Sequence, residues 1–340
     1  MPRKTQYQTP TVLVAGGAGF LGSHLCETLL ERGCKIICVD SLLSGSLDNI
    51  AAMRNHPAFT FIEADICDDL EIKGSIDQIF NMACPASPPR YQANPVHTVM
   101  TSVVGTNKLL SLAARHGARM VQASTSEIYG DPDEHPQRET YWGNVNCTGP
   151  RACYDEGKRT AETLCFDWMR TEGLDVRVAR IFNTYGPRMR ADDGRIVSNF
   201  IVQALDGEAL SIFGSGEQTR SFCYVSDLID GLIKLMTVDP NPGVPINLGN
   251  PTELTVIELA KLVLEVTGTP ALLSLEPLPV DDPRRRRPDI SQAAELLGWK
   301  PAVDVRDGIR QTADWFSRTR CEPQAFPAGE TVASLHIVYD

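Results

Sequence analysis

The chain contains no run of 18 apolar residues, no CxxC pair and no surplus of basic charge. The first absence argues against a helix that spans a bilayer. The second removes the usual spacing of zinc clusters and thioredoxin-like motifs. The third follows from 43 acidic against 32 basic residues, a net charge of −11, which disfavours a nucleic-acid or anionic-membrane partner. A small anionic ligand remains possible, because a mean charge hides local clusters. The six histidines are scattered without metal-ligand spacing, so no metal site is expected. The N-terminal MPRKTQYQTP lacks the apolar stretch of a signal peptide. Ten cysteines, several among apolar residues, read as reduced, buried side chains. Together these features predict a soluble, cytoplasmic protein.

What is present is an α/β rhythm. At 340 residues the chain has room for about two structural units. Thr11–Ala15, Lys35–Val39, Phe59–Glu63, Gln78–Met82, Met120–Ala123 and Val176–Ile181 are short, apolar and rich in β-formers, as strands are. Leu21–Arg32, Pro95–His116 and the segment containing Lys158–Thr171 carry helical spacing. This alternation predicts a doubly wound, Rossmann-type parallel sheet covered on both faces. Beyond about residue 185, Pro and Gly break the rhythm. Helices are expected at Val197–Leu205, Ser226–Met236, Val256–Val266 and Val303–Phe316. The predicted division is a dinucleotide-binding domain over 1–185 (mainly 11–185) and a smaller α/β substrate domain over 186–320. Some of the second part returns to the first, and 321–340 form a tail of unassigned role.

Residues 12–22 read VLVAGGAGFLG, with Gly16, Gly19 and Gly22 between a strand and a helix. Such a turn lets a pyrophosphate approach the helix N-terminus. A glycine triplet alone is weak evidence, but Asp40 closes the next strand, where a carboxylate accepts both ribose hydroxyls. It would repel a 2′-phosphate, so NAD is preferred to NADP. Asp65, after the third strand, is placed to meet the adenine, though it also suits a strand-end cap.

Tyr154 and Lys158, in YDEGK, lie four residues apart and share a helix face. A nearby ammonium lowers a phenol's pKa, so the pair reads as a base with its helper. Thr125, Ser126 and Glu127 follow a strand, at the carboxyl end where ligands lie in such sheets. Thr125 is expected to hydrogen-bond the hydroxyl that Tyr154 deprotonates. Glu127 is read as a carboxylate beside the same site or as a capping acid.

The glycine turn resembles that of the extended short-chain dehydrogenase/reductase family. ACPASPPRYQANP (83–95), ASTSEIYGDPDEHPQ (123–137), GPRACYDEGKR (149–159), RIFNTYGPRM (180–189), FGSGEQTRSFCYVSDL (213–228) and DDPRRRRPDI (281–290) resemble its UDP-glucuronate decarboxylase group over roughly 11–318. Two departures stand out: Cys147 where that group usually has Pro, and Ala152 where it has Ser. The resemblance implies decarboxylation of UDP-glucuronate to UDP-xylose through a 4-keto sugar, with NAD regenerated in the cycle. It assigns Phe20, Leu21 and Ala83 to the cofactor. Pro85, Ser87, Tyr91, Asn183, Arg195 and Arg220 go to the nucleotide sugar. Arg286 serves both substrate and chemistry, though a run of four arginines by itself also fits a solvated loop. Ser126 and Glu127 would position the ring and manage proton transfer near C5. A homodimer is implied, through Pro95–His116 and Lys158–Thr171. Ser126-Glu127 stands where 4,6-dehydratases carry Asp-Glu, and 4-epimerases usually lack the Glu and the CPASP loop. Those two activities are the enzymatic alternatives, and a non-catalytic NAD-binding sensor is the alternative of another class.

Overall fold

The computed structural model describes residues 9–270, 272–277 and 285–321; the expected tail over 321–340 lies almost wholly outside them. Strands β1 (Thr11–Ala15), β2 (Lys35–Asp40), β3 (Phe59–Glu63), β4 (Gln78–Asn81), β5 (Arg119–Thr125), β6 (Val176–Ile181) and β7 (Ile246–Leu248) form one sheet. Its spatial order is β7-β6-β5-β4-β1-β2-β3, and every pairing is parallel. The alternation inside β1 shows why both faces are covered. Val12 and Val14 join one core with Leu25, Leu29 and Leu232, while Leu13 and Ala15 join another with Leu109, Leu110 and Cys165. Helices α1 (Phe20–Glu31) and α4 (Val225–Thr237) supply the first face; α2 (Thr106–His116) and α3 (Ala152–Glu172) supply the second.

The chain leaves β1 toward β2 and β3 on one side and returns to place β4 on the other. The strand order therefore reverses between β1 and β4, and a crevice opens at their carboxyl ends. β7 was not predicted. Its three residues lie between Pro245 and Gly249, too short to show a period, yet they pair with Ala179–Ile181.

The expected helix Pro95–His116 is three pieces: Pro95–Met100, a wide π-type turn over Thr101–Gly105, and α2. The Thr101 hydroxyl donates to the His97 carbonyl at 2.9 Å, and a Cβ on Gly105 would meet Ile66 Cδ1 at 2.5 Å. The wide turn turns the buried Ser102 toward the site, with its Oγ 3.4 Å from Cys84 Sγ.

Past residue 185, helices Ile196–Asp206, Val256–Thr267 and Val305–Cys321 pack together. A small sheet orders Glu253–Thr255, Thr219–Ser221 and Arg285–Arg286, pairing Arg286 with Arg220. Trp299 is fully buried and donates its indole N–H to the Asp227 carbonyl at 2.9 Å, tying the 291–304 region to α4.

Candidate active site

The crevice is lined by Gly16, Gly19, Phe20, Leu21, Gly22, Asp40, Asp65, Ala83, Pro85, Ser87 and Arg195, all predicted site residues. With its open mouth it spans about 1050 Å³. Gly16 takes φ +75°, and a Cβ on Gly22 would lie 2.0 Å from the Gly16 carbonyl oxygen, so both positions need glycine. The N-cap Gly19 offers no side-chain cap, which leaves the first N–H groups of α1 for an anion. Asp40 is buried and accepts from Ala18 N–H at 2.9 Å and Leu42 N–H at 2.8 Å. Burial pushes its pKa up, partly offset by those backbone donors. Gly19 N–H is a third backbone donor, and the carboxylate keeps acceptor capacity for a diol. Val39, Ala64, Ile66 and Met82 add an apolar slot. An anion-receptive helix end, a diol acceptor and an apolar slot in sequence fit NAD.

At the far end of that slot Asp65 accepts from Cys67 N–H at 2.8 Å and bonds His97 Nε2 at 2.7 Å. Asp65, Cys67 and His97 bring their ligand atoms within 4.8 Å of one another, the one such cluster among the described residues. The His–Asp hydrogen bond and the Cys67–Thr101 contact account for their closeness.

Tyr91, Thr125, Ser126, Glu127, Tyr154, Lys158 and Arg286 are not among the residues lining that crevice; β5 delivers Thr125 into a short 3-10 turn, Ser126–Tyr129. Thr125 caps it by accepting from Glu127 N–H at 3.2 Å. Beneath, Arg180 donates to Glu162 at 2.8 Å and to the Tyr129 hydroxyl at 3.0 Å, while Tyr129 donates to Asn247 on β7 at 2.8 Å. This buried network fixes the turn. The Thr125 hydroxyl lies near the Tyr154 phenol, where it favours the ionised form. Tyr154 is buried and stacks on Tyr91, ring centroids 5.0 Å apart and 6° from parallel. Lys158 donates to the Ala123 carbonyl at 2.8 Å and lies 5.8 Å from the centre of the Tyr154 ring.

Lys158 and Tyr154 lie together on one face of α3, as their spacing predicts. Burial pushes Tyr154 well up and Lys158 down, and the ammonium sits over the ring and on a carbonyl.

Glu127 is clamped between two arginines: one oxygen pairs with Arg286 and the other with Arg151 at 2.8 Å. Burial opposes its charge, yet the two guanidiniums outweigh it and hold the carboxyl at about 2. So clamped, Glu127 is ionised near neutral pH in the substrate-free protein. Arg286 comes from the second half of the chain and is 4% exposed, which removes it from a solvated loop.

Arg195 caps its helix, lies 5.7 Å above the Phe20 ring and is backed by Asp193. Arg90, Arg188 and Arg190 line the same crevice. Asn183 and Arg220 do not line it: the Asn183 carbonyl accepts from Cys223 N–H at 2.9 Å, and Arg220 donates to the Thr219 carbonyl at 2.8 Å beside Arg286. Of the nine cysteines described, none is bridged; five are buried, Cys147 is exposed, and Cys84 lines the crevice.

Sequence reasoning missed Arg151 and His97. Arg151 carried a signal: it is the N-cap of α3, where the helix dipole disfavours a cation.

A family model described as "NAD dependent epimerase/dehydratase family" matches residues 12–249. The chain belongs to that family. Within it, the chain is similar over most of its length to relatives named for decarboxylation. "UDP-glucuronic acid decarboxylase 1" of Danio rerio is 52% identical over 90% of this chain and 72% of its own length. "UDP-glucuronic acid decarboxylase 5" of Arabidopsis thaliana is 54% identical over 88% of this chain and 86% of its own. Among solved structures, the UDP-glucuronic acid 4-epimerase of Bacillus cereus, in complex with UDP-glucuronic acid and NAD, has a TM-score of 0.80. It is 26% identical over 91% of this chain and 99% of that one.

Proposed function

We propose that this chain decarboxylates UDP-glucuronate to UDP-xylose, using NAD and returning it to its starting state. The observation that carries the reading is the Arg286–Glu127–Arg151 cluster beside Tyr154 and Thr125, in a member of a family whose similar relatives bear that name. Two guanidiniums in a buried pocket suit a sugar carboxylate.

Gly16, Gly19, Phe20, Leu21, Gly22, Asp40, Asp65 and Ala83 would hold NAD, which when bound takes a hydride from C4 of the sugar and later gives it back. Tyr154, beside Thr125 and stacked on Tyr91, would take the C4 hydroxyl proton as the phenolate, which Lys158 helps to stabilise. The resulting ketone is β to the carboxylate, so its oxygen accepts the electrons of the breaking bond. Arg286 holds the carboxylate, and Ser126, Pro85 and Ser87 border the sugar. Arg195, with Arg188 and Arg190, faces the diphosphate; the resemblance also gives Asn183 and Arg220 to the nucleotide sugar, with Arg220 beside Arg286. Residues 11–185 act as the cofactor-binding part and 186–320 mainly as the substrate-binding part.

The local cations reconcile an anionic substrate with a net charge of −11, since the field in the cleft governs binding. A homodimer through Pro95–His116 and Lys158–Thr171 is supported by Val96 and Met100, which are 70% and 45% exposed. A cytoplasmic setting is supported by unbridged cysteines throughout the described residues. No helix among the described residues is long and apolar enough to cross a membrane.

The test is release of CO2 from UDP-glucuronate with catalytic NAD+. Absence of CO2, with UDP-galacturonate formed instead, would replace decarboxylation by epimerisation.

A further inference from the structure

The fold gathers a thiol, an imidazole and a carboxylate that the sequence keeps apart. Asp65 and Cys67 follow β3, and His97 lies in the helix Pro95–Met100, 32 positions beyond Asp65. One donor atom from each lies within 4.8 Å of the other two. All three side chains are partly buried, so none is a freely solvated surface group. Histidine spacing alone argues against a metal site, because these donors meet only in the folded chain.

The hydrogen bonds that draw the three together also leave one donor on each for a shared ligand. Asp65 Oδ1 accepts from Cys67 N–H at 2.8 Å, and Oδ2 faces His97 Nε2 at 2.7 Å. His97 Nδ1 lies 3.4 Å from Thr101 Oγ1, a hydroxyl whose own proton goes to the His97 carbonyl at 2.9 Å. Thr101 can therefore accept from Nδ1–H, the tautomer that keeps the lone pair on Nε2. The Cys67 thiol touches the same Thr101 oxygen at 3.9 Å, a weak bond that is readily given up. Asn94 holds the backbone here, accepting from His97 N–H at 3.2 Å. A ligating carboxylate and imidazole whose second polar atoms are already bonded have the outer support that metal sites use.

Donor separations suit a small tetrahedral ion. Zinc bond lengths of about 2.0–2.3 Å place its donors about 3.3–3.7 Å apart. The separations here run from 2.7 Å to at most 4.8 Å and bracket that range. A thiolate beside an imidazole selects zinc or a similarly thiophilic cation over magnesium and calcium.

We propose that Asp65, Cys67 and His97 bind one zinc-like divalent cation in the cofactor-free protein, and that this ion and NAD exclude one another. Three bonds form, to Asp65 Oδ2, Cys67 Sγ and His97 Nε2, and water takes the fourth position. The protons on Cys67 Sγ and His97 Nε2 go to solvent, and nothing is oxidised or reduced. Asp65, His97 and Thr101 line the crevice at the end of the apolar slot. An ion there occupies the Asp65 oxygen and, with its water, the space the cofactor needs. The exclusion rests on the placement of NAD given above; the cation site does not, and neither depends on the sugar chemistry.

The experiment titrates the full chain, freed of NAD, with Co2+ alone. Thiolate-to-cobalt absorbance should saturate at one equivalent, and Zn2+ should displace it. Cys67→Ser and His97→Gln should each weaken Zn2+ by more than about 10²-fold against a chelating dye, since losing only an outer supporting bond costs about 10- to 100-fold. Cys147→Ser removes an exposed thiol and should change neither readout. NAD+ should bleach the cobalt band, and Zn2+ should raise the apparent Kd for NAD+ in the wild type but not in Cys67→Ser. Absence of a thiolate band would overturn the inference, as would a band that Cys67→Ser retains. His97→Gln and the wild-type spectrum decide the matter if Cys67→Ser does not fold. A Cys67-dependent band that NAD+ leaves unchanged would overturn the exclusion. Failure of the metal-free wild type to bind NAD+ would instead sink the placement of the cofactor.

Discussion

Replacing Glu127 with Gln removes one negative charge from between Arg286 and Arg151 and keeps the side chain's shape. The magnitude follows from titration. Glu127 ionises at about 2 instead of its ordinary 4.5. At about 1.4 kcal/mol per tenfold change in proton affinity, the folded state favours the charged form by about 3 kcal/mol. The folded pKa lies below the unfolded one, so this stability is fully present above 4.5 and is lost as the pH falls toward 2. Gln mimics the protonated acid. The cofactor-free wild type should therefore exceed Glu127→Gln by about 3 kcal/mol near pH 7 and by only about 2 kcal/mol near pH 3.5. Urea unfolding of both proteins across that range measures the gap directly. A gap below about 1 kcal/mol, or one that does not shrink on acidification, would refute the clamped carboxylate.

Other consequences can be checked alongside. Tyr154→Phe keeps the stack on Tyr91 but removes the proton acceptor, so reduction of NAD+ by UDP-glucuronate should slow by about 10²-fold or more in stopped-flow absorbance. Gly22→Ala puts a methyl 2.0 Å from the Gly16 carbonyl oxygen, and should abolish cofactor retention on gel filtration. Asp40→Ala deletes the diol acceptor at the end of β2. Calorimetry should show NAD affinity reduced by about 10- to 100-fold, as loss of charge-assisted hydrogen bonds predicts.

Much of this was visible in the sequence because period and punctuation agreed. The six leading strands are short apolar runs bounded by turns or helical spacing, and each forms at its expected place within two residues at either end. The glycine turn and Asp40 could be read together because a single strand separates them. Arg286 could be placed only by resemblance, since 159 residues separate it from Glu127 and its place is set by pairing with Thr219–Arg220 and by hydrogen bonds between Gln137 and Arg287. The clamp on Glu127 was not legible. It depends on where α3 begins, which sets Arg151 at its cap. Likewise, Lys158 shares a face with Tyr154 as spacing requires, but spacing could not show that the ammonium is already engaged by the Ala123 carbonyl.

The most direct test of the central claim is the NMR time course of UDP-glucuronate with the protein and substoichiometric NAD+. The account predicts UDP-xylose in many-fold excess over NAD+, with one solvent-derived hydrogen at C5 when the reaction runs in D2O. UDP-galacturonate as the product, or turnover that stops after one equivalent of NADH, would contradict it.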